Sequence, residues 1–195
     1  MSLVTSNVIT RVSEFGLMSL GYEMSLKVSD SIFRIFSNKY RELSSNTQLY
    51  VVTNTNKSIL MAYISYLFIN IFIQNPQYIF DNAAIIPENS QIAWQRLTSL
   101  YAATDFIALL KSQKMPFSTK LHHYGVILAF VIVTLSKFNY GSLSKALVIY
   151  GAFSAMAGGV NTYLGFRKLL DPKSKSLFVL KKMALITYIL ACSGN

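Results

Sequence analysis

The chain has one cysteine, four prolines, two histidines and only eight acidic residues among its 195. The lone Cys192 excludes an intramolecular disulfide and a cysteine-based zinc site. The prolines, Pro76, Pro87, Pro116 and Pro172, all fall between apolar runs, where a missing backbone donor does least harm. Charged residues make up 13% of the chain, where an ordinary soluble domain carries about 25%. The sequence contains no Gly-x-Ser-x-Gly elbow, internal repeat, coiled-coil heptad or low-complexity tract. Its first forty residues lack a basic start followed by a clean apolar core, so no signal peptide is expected.

What the chain has in abundance is apolar surface. Hydrophobic residues reach 52% and the mean hydropathy is +0.39, which leaves little room for a soluble domain. About six spans of ~20 residues would use nearly the whole length. The expected fold is therefore all-α: a polytopic transmembrane helical bundle of five to six spans, with residues 1–195 forming a single membrane domain. Five apolar segments are placed at 51–73, 91–111, 121–137, 143–166 and 176–193. A sixth, at 8–36, carries Glu14, Glu23, Lys27 and Asp30 within an apolar pattern. It reads either as an interfacial amphipathic helix or as a first span whose charges face the bundle interior.

A net charge of +10 raises the question of nucleic acid, but the basic residues lie in short connections rather than along one face or motif. Topology explains them better, and no nucleic-acid partner is expected. The connection at 34–50 carries Arg34, Lys39 and Arg41, and that at 111–120 carries Lys111, Lys114 and Lys120. A moderately basic one holds Lys137 and Lys145. The stretch 167–182 holds Arg167, Lys168, Lys173, Lys175, Lys181 and Lys182, whereas 74–90 has no Lys or Arg. The positive-inside rule then puts 34–50, 111–120 and 167–182 on the cytosolic side.

With this orientation, the ~1.5 Å helical rise places Asp105 about 9 Å from Lys111 and Asn161 about 9 Å from Arg167. His122 and His123, the only histidines, open the segment after Lys120, and Asn54, Asn56, Lys57 and Ser58 lie in the first turns of 51–73. Four helices thus direct polar groups toward the cytoplasmic half of the bundle. The expected polar cavity is made by Lys57, Tyr101, Asp105, His122, His123 and Asn161, with His122 and His123 the candidates for any catalysis. Each residue also has a structural reading: histidines at headgroup level, Asp105 paired with Lys57 or Arg96, and Asn161 hydrogen-bonded to a neighbouring helix. Trp94, Tyr101, Tyr124, Tyr140 and Tyr150 read as interface anchors and packing. Gly158-Gly159 offers a close helix approach. Consecutive histidines point to different helix faces and make a poor metal pair, so neither metal nor cofactor is expected.

In order, Tyr101-Ala102-Ala103-Thr104-Asp105, Leu121-His122-His123 at the start of the next span, and Asn161 followed by Arg167 resemble the TLC-domain family. That family groups ceramide synthases, the translocation-associated TRAM proteins and the CLN-type membrane proteins. Residues 36–43 and Asn56-Lys57-Ser58 resemble its first cytosolic loop and second span, so the likeness covers about residues 30–190. It implies a bundle around a lipid-accessible cavity in the endoplasmic reticulum or another endomembrane, with membrane lipid as partner and a role in lipid binding, sensing or regulation. In the synthases the histidine pair serves catalysis, which would carry over to His122 and His123. Residues 124–166, however, contain no Asp or Glu, and the chain ends at Ser193-Gly194-Asn195 where the family usually has a further span, so an N-acyltransferase is not expected. The competing reading is an accessory subunit of a larger membrane complex, with the mitochondrial inner membrane as an alternative location.

Overall fold

The computed structural model describes residues 2–81, 86–112, 115–135 and 143–193. Lys114, Lys137, Tyr140, Gly194 and Asn195 lie outside the described residues. Among those described there is no strand, and the elements are α1 (Ser2–Phe36), α2 (Asn38–Arg41), α3 (Ser45–Gln74), α4 (Gln77–Phe80), α5 (Glu88–Lys111), α6 (Phe117–Leu135), α7 (Leu143–Ala155), α8 (Gly158–Phe166) and α9 (Lys175–Ser193). Four stretches are long and apolar enough to cross a membrane: α3, α6, the α7–α8 stretch Leu143–Phe166, and α9. The protein is therefore an all-helical membrane protein.

The expected segments at 91–111 and 8–36 do form helices, α5 and α1, but neither is among those four. The reason is composition: α5 carries Glu88, Arg96, Asp105 and Lys111, and α1 carries Arg11, Glu14, Glu23, Lys27, Asp30 and Arg34. A helix need not be apolar all round where its neighbours, rather than lipid, cover it.

The chain divides into two compact units, Met1–Tyr22 with Leu67–Gly151, and Glu23–Tyr66 with Ala152–Asn195. In the first, α5 packs on α6 and buries ten of its residues, among them Trp94, Leu97, Tyr101, Ala102, Ala103 and Asp105. Trp94 is fully buried and takes Phe72 and Tyr78 edge-on, each at a centroid distance of 5.9 Å. Phe15 stacks on Phe130 at 4.8 Å and tilts against Phe106 at 5.5 Å. Such aromatic pairs add about 0.5–1.5 kcal/mol each beyond the area they bury. Pro87 caps the start of α5, with acidic Glu88 in the first turn and basic Lys111 in the last, both signs suited to the helix dipole. Glu14 bridges Arg11 and Arg96, the latter at 2.9 Å. The buried Lys145 ammonium donates to the Asp81 carbonyl at 2.8 Å, at the end of α4.

In the second unit α8 packs on α9 and, through glycines, on α3. A Cβ on Gly158 would stand 3.1 Å from Met61 Cβ and 3.4 Å from the Ser58 carbonyl, and one on Gly159 would stand 2.6 Å from Thr187 Oγ1. The expected close approach at Gly158-Gly159 thus serves two different helices, and the helical stretch breaks at Met156-Ala157 just before it. Ser58 and Thr162 hydrogen-bond across the α3–α8 contact. Asp171 and Pro172 open a turn in which Ser174 N–H donates to the Asp171 carbonyl at 3.0 Å, and Ser174 Oγ then accepts from Leu177 N–H to start α9.

The same unit joins two of the basic connections. Lys39 Nζ donates to the Leu170 carbonyl at 2.9 Å, and Arg167 donates to the Tyr50 hydroxyl at 3.0 Å while lying over the Tyr50 and Tyr163 rings. Stretches 34–50 and 167–175 therefore share one end of this unit, whereas Lys181 and Lys182 of the expected 167–182 connection lie within α9.

Candidate functional site

The first unit brings Asp105 and His123 together. On α5, Tyr101 and Asp105 are four residues apart and share a face, and the intervening Ala102 and Ala103 are fully buried, small enough to let neighbouring helices close in. Asp105 itself is 0% exposed. Phe117–Leu135 forms α6 directly after Pro116, and its seventh residue, His123, is 7% exposed. His123 Nδ1 stands 2.9 Å from Asp105 Oδ1, ion-pair distance, without the alignment of a directional N–H···O bond. The Thr104 hydroxyl donates to the Tyr101 carbonyl at 2.8 Å and stands 3.5 Å from the same carboxylate oxygen. Tyr22 and Tyr101, both buried, lie within electrostatic reach of the Asp105 carboxylate.

His122 goes elsewhere. Consecutive helical residues are ~100° apart around the axis, and His122 is exposed while His123 is buried. Only one histidine of the pair thus faces the carboxylate.

A carboxylate oxygen thus stands beside an imidazole nitrogen, an acceptor next to a group that can either donate or accept a hydrogen bond. This arrangement can accept a proton or hydrogen-bond the polar end of an amphiphile. Among the described residues no three His, Cys, Asp or Glu side chains gather where they could hold a metal ion.

The other residues expected at the cavity are placed as follows. Arg96 pairs with Glu14, through Nε at 3.1 Å and Nη2 at 2.9 Å, while the Asp105 carboxylate has His123 beside it. Lys57 and Asn161 belong to the second unit. Lys57 is buried on α3, and Asn161 on α8 donates to Met61 Sδ at 3.2 Å, a helix-to-helix contact. Of the aromatics, Trp94 and Tyr101 are core, whereas Tyr124 and Tyr150 are exposed.

One polar cluster was not foreseen. At the end of α1 Arg34 binds Asp30 at 2.7 Å and Gln48 Oε1 at 2.6 Å, the Tyr40 hydroxyl donates to Asp30, and Gln48 Nε2 donates to the Tyr40 carbonyl at 2.9 Å. Burial pushes the Asp30 carboxyl up, but hydrogen bonds from Arg34 and Tyr40 and the Arg34 charge outweigh it and hold the group below the usual carboxylate range. Burial and the same carboxylate push the Tyr40 hydroxyl up. The Asp30–Arg34 spacing of four was the one signal in the sequence for this cluster.

Compared with protein-family models, with curated proteins and with solved structures, the chain has no match.

Proposed function

We propose that this is a TLC-like integral membrane protein that binds or senses membrane lipid, with Asp105 and His123 receiving the polar end of the ligand. The observation that carries the reading is the fully buried carboxylate 2.9 Å from a buried imidazole in a chain with four helical stretches apolar enough to cross a membrane. Ionisable groups in such a setting are costly and mark function by default. The order Tyr101–Asp105, then His122–His123, then Asn161 and Arg167, agrees with the family pattern. On this reading α5 is a fifth span sheltered by its neighbours, and α1 is a sixth or an interfacial helix. The compartment is the endoplasmic reticulum or another endomembrane, the mitochondrial inner membrane being the alternative.

The test is lipid retention by the purified protein. Asp105→Asn keeps the side-chain shape and removes the charge, and His123→Ala removes the ring. Both are expected to lower the stoichiometry of co-purified lipid, while the outward His122→Ala leaves it unchanged. Unaltered retention in both buried-site variants would overturn the reading. A ceramide-synthase-like N-acyltransferase would instead show acyl-CoA turnover dependent on His123.

A second reading, an accessory subunit of a larger membrane complex, draws on α9, where Phe178, Met183, Ile186 and Leu190 are all more than half exposed. Such an apolar surface suits a neighbouring protein helix as well as lipid. Co-migration with a fixed set of other subunits would favour it.

A further inference from the structure

The second unit holds a groove between α8 and α9 with a volume of about 590 Å³. Its walls are Phe166, Leu170, Val179 and Leu180, and Lys175 and Ser176 line it where α9 begins. The volume is that of an ordinary small-molecule site, and the lining has the expected makeup, apolar walls with a few polar groups at one point. Both Lys175 and Ser176 are exposed, as are Lys168 and Lys173 in the connection that leads into α9. Among the described residues none of these three lysine side chains has an anionic partner. The one acid of that connection, Asp171, turns an oxygen toward the Lys173 backbone N–H at 2.7 Å. Arg167 is held against Tyr50 and Tyr163. The groove thus joins an apolar trough on a membrane-spanning hairpin to uncommitted cations at the end assigned to the headgroup level.

We propose that the α8–α9 groove binds one anionic glycerophospholipid, an acyl chain lying along Phe166, Leu170, Val179 and Leu180 and the phosphate held at Lys175 and the lysines before it. Charge complementarity selects this occupant. A zwitterionic lipid has no net negative charge to offset three lysines, and a protein helix would have to present an acid at the groove mouth. The assignment uses none of Tyr101, Asp105 or His123 and stands or falls apart from them.

The experiment reconstitutes the full chain in detergent with equal amounts of dioleoylphosphatidylserine and dioleoylphosphatidylcholine and counts retained lipids by native mass spectrometry. Basic residues near an anionic surface contribute about fivefold each, so the wild type is expected to retain phosphatidylserine at least tenfold over phosphatidylcholine, on the order of two such contributions. Lys168→Gln/Lys173→Gln/Lys175→Gln should bring the ratio near one. Leu180→Trp, which fills the trough and keeps the lysines, should lower retention of the anionic lipid. Lys181→Gln/Lys182→Gln removes charge from the same helix but not from this groove, and should preserve the preference. Asp105→Asn should preserve it too, which separates failure here from failure of the reading above. Equal retention of the two lipids by the wild type would overturn the proposal. So would an equal loss of preference in the Lys181/Lys182 variant, which would reduce the effect to general surface charge.

Discussion

Gly165→Ala probes the α3–α8 contact most sharply. A Cβ on Gly165 would lie 2.7 Å from Thr55 Oγ1, 3.3 Å from the Val51 carbonyl and 3.4 Å from Thr55 N, so side chain and backbone are both met. Thr55 is β-branched and stiff at χ1, and cannot swing away freely within α3. Overpacking of this kind costs about 1–3 kcal/mol, while Gly→Ala in a helix interior gains about 1 kcal/mol of propensity. Gly125→Ala in α6 supplies the control, since a Cβ there meets nothing within 4 Å. The propensity gain is common to both, so the difference between the variants isolates the contact, at about 1–3 kcal/mol. Equilibrium unfolding in mixed micelles, followed by far-ultraviolet circular dichroism, measures it. Among the described residues the Thr55 hydroxyl has no hydrogen-bond partner. Thr55→Ala should therefore be mild alone and should relieve Gly165→Ala, with a coupling of at least about 0.5 kcal/mol. Equal stability of Gly165→Ala and Gly125→Ala would refute the reasoning.

Gln48→Leu, which removes the hydrogen bonds to the Tyr40 carbonyl and from Arg34, should cost about 1–3 kcal/mol in the same assay. Arg96→Ala, at a pair whose arginine is 55% exposed, should stay within about 1 kcal/mol. The Asp30 carboxyl lies below its usual range in the folded protein, so its contribution is complete above that range and is lost as pH falls through the lower folded value. Asp30→Asn should accordingly flatten the acid limb of a stability–pH curve and leave its shape near neutral pH unchanged. The 35 residues of α1 extend about 52 Å, beyond a hydrocarbon core of about 30 Å, so this end can stay in water. The exposed Cys192 reports topology directly. In sealed vesicles with the cytosolic face outward, a membrane-impermeant maleimide should label it only after permeabilisation. A cysteine replacing Lys168, in a Cys192→Ser background, should label at once.

Helix positions were legible because apolar runs between polar, Pro-bearing connections leave few alternatives. The five segments correspond to α3, α5, α6, α7–α8 and α9, and α1 runs unbroken through the charges at 14, 23, 27 and 30. Boundaries were less legible: α3 begins at Ser45, six residues before the apolar run, since its first turns are polar and local pattern marks apolarity rather than helix. The different facing of His122 and His123 followed from helix geometry alone. Glycine spacing announced a close approach but not its partners, which proved to be Met61 for Gly158 and Thr187 for Gly159. Partner choice among charges was the least legible feature. Arg96 lies nine residues from Asp105 yet pairs with Glu14, 82 positions away, and nothing local encodes that. The Tyr40–Gln48 network was hidden for the same reason: its members look like ordinary loop residues until α2 and α3 fold back on one another.

The central claim is that the buried Asp105–His123 pair serves lipid, and native mass spectrometry of the chain extracted gently from its own membrane tests it most directly. The account predicts a stoichiometric lipid on the wild-type protein that is lost in Asp105→Asn and His123→Ala and kept in His122→Ala. A lipid-free protein held in a fixed set of other subunits, or a count of bound lipids unchanged in both buried-site variants, would contradict it.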